Sequence, residues 1–395
     1  MQGADGKRRK LRVVTLVDGI GLAGGAERLA REVVVRLDPE RFERTLCVSR
    51  WSAQRERDAV AAGALAELDD AGVRFIGLRR RGAWDVPAWR PLYSLLRGGG
   101  IDVLHAHKFG SNVWAAVLGT LARTPAIVAH EHTWSFQGRP VRKLLDRRLI
   151  AARADAFLAV SEQDRRRMIE IEGIDPGKVI FVPNGIPAPP APSGADIRGE
   201  LGIGADVPVV GTVCALRPQK ALDVLLEAAA KLSGDLPALR VLIVGEGPER
   251  AGLEQRIAEL DLGGTVMLLG QRNDVPDLLG AIDVAVCCSD FEGTPLSILE
   301  YMEAALPIVA TRVGGIPDLI EPEVEGLLVE PRHPDGLAAA IARLLTDREL
   351  AAAVGAGGRR RQHAEFDLGV TVRAIERIYE GLASGRTAAE LEAGA

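Results

Sequence analysis

Leu11-Arg-Val-Val-Thr-Leu-Val17-Asp-Gly19-Ile-Gly21-Leu-Ala-Gly24-Gly25-Ala-Glu27 opens as a short β-rich run and passes into a literal G-x-G-x-x-G at the start of a helix. A strand that feeds a glycine turn and then a helix is the first unit of a parallel α/β sheet. In a dinucleotide-binding domain the second strand should end on an acid that holds the ribose, yet Arg44 to Val48 is followed by Ser49 and Arg50. Arginine at that point suits a 2′-phosphate, so a nicotinamide enzyme stays open. So does a turn that only lets helix and strand pack closely. Gly24-Gly25-Ala26-Glu27 adds a third possibility, because a backbone without side chains can approach a phosphate or a sugar.

Working outward, β-rich runs alternate with helical patterns along the whole chain. The spacing predicts strands at 11–17, 44–48, 73–77, 101–105, 126–130, 156–160 and 179–182, then at 208–213, 239–244, 265–269, 283–288 and 307–311. Between the two series lies Ile186-Pro-Ala-Pro-Pro-Ala-Pro-Ser-Gly194, a proline-rich stretch that reads as an interdomain linker. The expected organisation is two doubly wound domains, residues 1–190 and 191–365, followed by a helix around Leu368 to Leu382 within 366–395. That helix has a place to go if it packs back on the first domain. Residues 1–10 and about 384–395 are small and polar and read as mobile ends.

Composition sets the limits. The 395 residues suffice for two cores, no apolar run is long enough to cross a membrane, and the start does not read as a signal peptide. Cys47, Cys214, Cys287 and Cys288 lack C-x-x-C spacing and read as free thiols in a reducing, cytoplasmic compartment. The net charge of −5 conceals two halves of opposite sign: residues 1–190 hold 31 Lys and Arg against 22 Asp and Glu, and residues 191–395 hold 18 against 32. An anionic surface or acceptor on the first half would explain the difference. No nucleic-acid partner is expected. The clearest basic patch, Gly138 to Arg153, sets Val141, Leu144, Leu145 and Leu149 at helical spacing among Arg142, Lys143, Arg147 and Arg148. It reads equally as a membrane-surface helix or as a helix that packs its leucines inward and solvates its arginines.

Ligands of open α/β sheets bind beyond the carboxyl ends of the strands, so the residues just after each strand carry the functional reading. After 283–288 comes Asp290-Phe291-Glu292-Gly293-Thr294-Pro295-Leu296-Ser-Ile-Leu-Glu300. Thr294 is a good N-cap and Pro295 suits the first helical position, so Glu292 falls in the loop and Glu300 in the helix. A helix start attracts phosphate, and carboxylates suit sugar hydroxyls, so the pair suggests a nucleotide sugar. Two acids at a helix start are also common as solvated residues. Arg217 and Lys220, after 208–213, offer cations for a departing diphosphate. His105, His107, His130 and His132 follow two strands. They raise zinc as a possibility, though no cysteine pair or H-E-x-x-H supports one, and neutral imidazoles can equally accept bonds from substrate hydroxyls.

Taken together, the motifs resemble glycosyltransferase family 4, retaining enzymes of the GT-B fold with two Rossmann-like doubly wound domains facing a central cleft. The resemblance runs through Gly24-Gly25-Ala-Glu27, Asp102-Val-Leu-His-Ala-His107, Ala159-Val-Ser-Glu162, Val182-Pro-Asn-Gly-Ile186, Leu216-Arg-Pro-Gln-Lys220 and Val244-Gly-Glu-Gly-Pro248. It ends in the E-x7-E pair Glu292/Glu300 and in Ile308 to Gly315. It implies that Glu292 lies beside the transferred sugar, Glu300 holds the ribose, and Gly293, Thr294, Pro295 and Leu296 present backbone to sugar and phosphate. Lys220 would neutralise the diphosphate, His132 would stand near the reacting carbon, and Gly25 and Gly245 would approach the ligand. Arg272, in Gly270-Gln-Arg272, would meet the base.

The expected activity is transfer of a sugar from a UDP- or GDP-sugar to a hydroxyl of a glycan or lipid-linked acceptor, without a metal ion or other cofactor. An anionic membrane surface is a further expected partner of the first domain. A nucleotide-sugar epimerase and a non-catalytic nucleotide-binding protein are the alternatives. The chain departs from the family pattern at Cys214-Ala215-Leu216, where Gly-Arg-Leu is usual. Arg217 is the candidate replacement for the missing arginine.

Overall fold

The computed structural model describes residues 9–20, 25–52, 59–82, 85–132 and 139–394. Thirteen strands occur among the described residues and form two sheets, parallel throughout. Their Val, Ile, Leu and Ala runs are apolar on both faces, as parallel sheets covered by helices require. The first sheet has the order β3-β2-β1-β4-β5-β6-β7. Its strands are β1 (Leu11–Val17), β2 (Phe42–Val48), β3 (Arg74–Gly77), β4 (Val103–His107), β5 (Ala126–Glu131), β6 (Ala156–Ala159) and β7 (Val179–Phe181). The second has the order β10-β9-β8-β11-β12-β13. It is built from β8 (Val209–Val213), β9 (Arg240–Val244), β10 (Val266–Gly270), β11 (Val284–Cys287), β12 (Ile308–Thr311) and β13 (Leu327–Val329).

Strand order therefore reverses between β1 and β4 and again between β8 and β11. In doubly wound sheets the crevice for ligand lies at such a reversal. Twelve of the strands sit where periodicity predicts them. β13 does not: Leu327-Leu-Val329 is too short to show a period, and it exists as a strand because Val309, Ala310 and Thr311 of β12 pair with it.

The chain divides into two compact units, residues 1–185 with 368–395, and residues 186–367. The proline stretch begins inside the second unit, where Ile186 is buried and its N–H donates to Phe366 O at 3.1 Å. The helix Leu368–Ala383 belongs to the first unit. Leu368, Val372, Ile375 and Tyr379 enter the same core as Val13, Val33 and Phe42, and the Tyr379 ring meets Phe42 edge-on at 6.0 Å. Glu376 fixes its rotation, accepting from Asp38 N and Arg41 Nη1, both at 2.8 Å.

Two local expectations are corrected. The helix after Glu292 runs Leu296–Glu303, and its N-cap is Pro295, with φ −71° and ψ 119°, not Thr294. Proline's fixed φ suits either position, but its extended ψ places it outside the helix, which shifts the start by one residue. Nor is the basic segment one regular helix, as both of its readings assumed. It comprises an α-helix Pro140–Leu145, a π-helical turn Asp146–Ile150 and a short Ala151–Arg153. Arg142 and Asp146 are buried there, whereas Val141 and Leu144 are exposed.

Candidate active site

In the second unit the loop after β11 is built around Glu292, which is only 7% exposed. Lys220 Nζ donates to its Oε1 at 2.5 Å, Ser289 Oγ to the same oxygen at 2.7 Å, and Gln219 Nε2 to Oε2 at 3.3 Å. Lys220 arrives from a 3-10 turn, Pro218–Lys220, after β8, so the pair joins the two strands that flank the order reversal. Burial opposes the ammonium charge, but the Glu292 carboxylate, with help from Cys287 and Cys214, holds its pKa above the ordinary lysine value. The ammonium is thus kept charged in a largely desolvated place, where a cation acts most strongly on phosphate.

Glycines make this loop possible. Gly314 has φ +55°, and a Cβ there would stand 1.7 Å from Glu292 O; Gly315 N donates to Gly293 O at 2.9 Å. Gly245 has φ +139°, and a Cβ there would meet Cys214 O at 1.9 Å. Below the loop, Thr311 Oγ1 donates to Ser289 O at 2.6 Å. Tyr301 Oη accepts from Val213 N at 2.7 Å, tying the helix that carries Glu300 to the end of β8.

The remaining candidates of this unit follow β8, β10 and β11. Gly293, Thr294 and Pro295 are buried, and Leu296 and Glu300 are half-buried. Arg217 is the exposed N-cap residue of the 3-10 turn. Arg272 is committed locally, paired with Glu200 at 2.7 Å and with Asp274 at 2.6 Å. These two acids raise its pKa, Asp274 foremost.

In the first unit the four histidines come together at the ends of β4 and β5. His107 Nδ1 lies 2.9 Å from His132 Nε2, His130 Nδ1 3.2 Å from His105 Nε2, and His105 Nδ1 2.6 Å from Tyr379 Oη. Burial, reinforced by neighbouring histidines and Lys108, holds His105, His107 and His132 well below the usual imidazole range; burial alone pushes His130 down to about 3. The cluster is neutral and stacked. Nitrogens of His105, His107 and His130 all lie within 4.8 Å of one another, a spacing that a transition metal could use. The His105–His130 contact and the Tyr379 bond already occupy part of that set.

Glu131, whose Oε1 accepts from His132 N at 3.3 Å, is pushed up to about 7 by burial, a rise that Arg142 opposes. Gly25 opens the helix Gly25–Arg36 and is exposed, and Glu27 is paired with Lys108. Gly21, Gly24 and Thr133, in the glycine turn and the Glu131-His-Thr motif, lie outside the described residues. At the end of β2, Ser49 Oγ donates to Asp18 Oδ1 at 2.8 Å, and Arg80 Nη2 reaches the same oxygen at 2.9 Å.

Ser289, Gln219 and Tyr379 were not legible as site residues. Serine and glutamine are common after strands, and Tyr379 reaches His105 from 274 residues away in the chain. The only local hint was that Ser289 precedes Glu292 by three residues directly after a strand.

Two parallel doubly wound units, with their polar residues collected at the carboxyl ends of the strands, define an α/β protein of the GT-B fold. HepE of Anabaena, in complex with UDP-glucose, matches it with a TM-score of 0.81 over 94% of this chain and 100% of that one, at 21% identity. "Glycosyl transferases group 1" matches residues 194–361 and "Glycosyltransferase Family 4" matches residues 23–188. A D-inositol 3-phosphate glycosyltransferase of Geodermatophilus obscurus is 33% identical over 75% of this chain and 70% of its own length. A UDP-Gal:α-D-GlcNAc-diphosphoundecaprenol α-1,3-galactosyltransferase of Escherichia coli is 29% identical over 67% and 72%. The aligned stretch spans 62%, 72% and 70% of three such relatives.

The chain belongs to glycosyltransferase family 4. Membership sets aside the nicotinamide reading of the glycine turn.

Proposed function

We propose that the protein moves a sugar from a UDP- or GDP-sugar to a hydroxyl of a glycan or lipid-linked acceptor, with retention at the anomeric carbon and without a metal ion. The observation that carries this reading is the Lys220–Glu292–Ser289 constellation at the strand-order reversal of the second unit. Lys220 and Arg217 face the diphosphate and stabilise the charge that grows as it leaves, the task an ion would otherwise perform. Glu292 accepts from hydroxyls of the transferred sugar, Glu300 holds the ribose, and the backbone of Gly293, Thr294, Pro295 and Leu296 binds phosphate and sugar. Gly245 and Arg272 line the nucleotide end. In the first unit, His132 stands by the reacting carbon and Gly25 approaches the ligand. The E. coli relative, whose name specifies a diphosphoundecaprenol-linked acceptor, supports the lipid-linked class.

A thermal-shift screen of UDP-, GDP- and ADP-sugars tests the donor. One UDP- or GDP-sugar at a hundredfold excess over its Kd is expected to raise Tm by roughly 5 °C or more, and no shift with any of them would overturn the reading. Incubation with that donor alone distinguishes an epimerase, which needs no acceptor.

A further inference from the structure

In the segment 139–153 a buried charge decides which face is outward. Arg142 Nη2 donates to Glu131 Oε2 at 2.5 Å and its Nε to Asp146 Oδ2 at 3.1 Å, while the guanidinium lies 4.3 Å from the centre of the Phe109 ring. Arg142, Asp146 and Ile150 therefore point inward, at 8%, 1% and 0% exposure. Val141 and Leu144 are forced outward, at 71% and 59%. Burying an ion cluster while exposing two aliphatic side chains is the reverse of what a solvated helix does.

The surroundings are cationic. Arg139, Lys143, Arg147 and Arg148 are exposed, and Asp146, the one acid in the segment, is buried. Beside them a groove of about 680 Å³ carries Arg147, Arg148 and Lys178 against a single acid, Asp175, in its lining. Lys178 caps the end of the segment, its Nζ donating to Ala151 O at 2.8 Å and to Ala154 O at 2.9 Å.

We infer that this face docks on an anionic bilayer, with Val141 and Leu144 entering the acyl boundary and headgroup phosphates meeting Lys143, Arg147 and Arg148. Apolar contact and cation–headgroup attraction are each weak alone and reinforce one another on a lipid surface. The inference deepens the proposed acceptor class and rests on it only for its purpose, because binding to lipid needs neither donor nor acceptor.

Cosedimentation of the full chain with vesicles of phosphatidylcholine, alone and mixed with phosphatidylglycerol, tests it. Binding is expected to the mixed vesicles only and to weaken with salt. Val141→Ser/Leu144→Ser and Arg147→Glu/Arg148→Glu should each lower partition by roughly tenfold or more, with Tm and the donor-induced shift unchanged. Equal binding to neutral vesicles, or unaltered binding by either double variant, would overturn the inference. So would full displacement by soluble glycerol phosphate with the serine variant binding like the parent, since the groove would then be a simple anion site. Absent vesicle binding with an intact donor shift removes the docking face alone, whereas vesicle binding without any donor shift removes the transfer reading alone.

Discussion

Glu292 has three donors on two oxygens, so its carboxylate is both positioned and held next to a permanent cation. Replacing it by glutamine keeps the shape and removes the charge that pairs Lys220. If the proposed roles hold, with the nucleotide on the helix start and Glu300, Glu292→Gln should lower kcat by about 10²–10³-fold with nucleotide affinity within about threefold. Ser289→Ala removes one donor of the set and should cost roughly tenfold in kcat. Steady-state kinetics with calorimetric titration of the nucleoside diphosphate checks both; equal loss of turnover and affinity in Glu292→Gln would undo the division between the two glutamates. Glu292 and Lys220 were legible because each sits in a motif directly after a strand, the E-x7-E spacing for one and Leu216-Arg-Pro-Gln-Lys220 for the other. Ser289 and Gln219 were not, because their role exists only where loops separated by about 70 residues meet, as the 73-residue spacing of Gln219 and Glu292 shows.

At the scale of elements, the loop after β12 and the loop after β11 depend on each other through Gly314. A side chain there is excluded twice, by the positive φ and by the Glu292 carbonyl. Gly314→Ala should destabilise the chain by about 2 kcal/mol or more and weaken donor binding at the same time, because the displaced loop carries Glu292. Urea denaturation and nucleotide titration measure the two losses; unchanged stability would show that the loops move apart at little cost. The glycine pair 314–315 was visible as a close-approach turn, but its partner was not. The basic segment shows the same dependence: helical spacing of its leucines left an inward and an outward reading equally open, and the ion cluster of Arg142, Glu131 and Asp146 decides between them.

For the whole molecule, acid stability follows from the histidine cluster. The four imidazoles are held below their unfolded value near 6.5, so below that pH the unfolded chain takes up protons that the native chain does not, and stability falls. Glu131 and Asp146, pushed up to about 7 and about 6, act in the opposite sense, since the native chain binds their protons first as pH falls. Four against two leaves a net loss from these groups between about pH 6 and 4.5, on the order of 3 kcal/mol per pH unit. Denaturant unfolding of the full chain across that range should show the decline. A flat profile would mean that the cluster titrates before the fold opens.

Local chemistry was enough for the architecture. β-rich runs, glycine turns and their alternation are properties of neighbouring residues, so two doubly wound sheets and the residues at their strand ends were determined by the sequence itself. Tertiary structure alone decided which face of 139–153 is outward, that Leu327–Val329 is a strand, and that Tyr379 reaches His105. Each of these is set by a partner far along the chain: a buried carboxylate for Arg142, an unpaired edge for β13 and a closing helix for the histidines. The energy of a buried charge or an edge hydrogen bond comes from that partner, and no period or propensity in the local sequence records it.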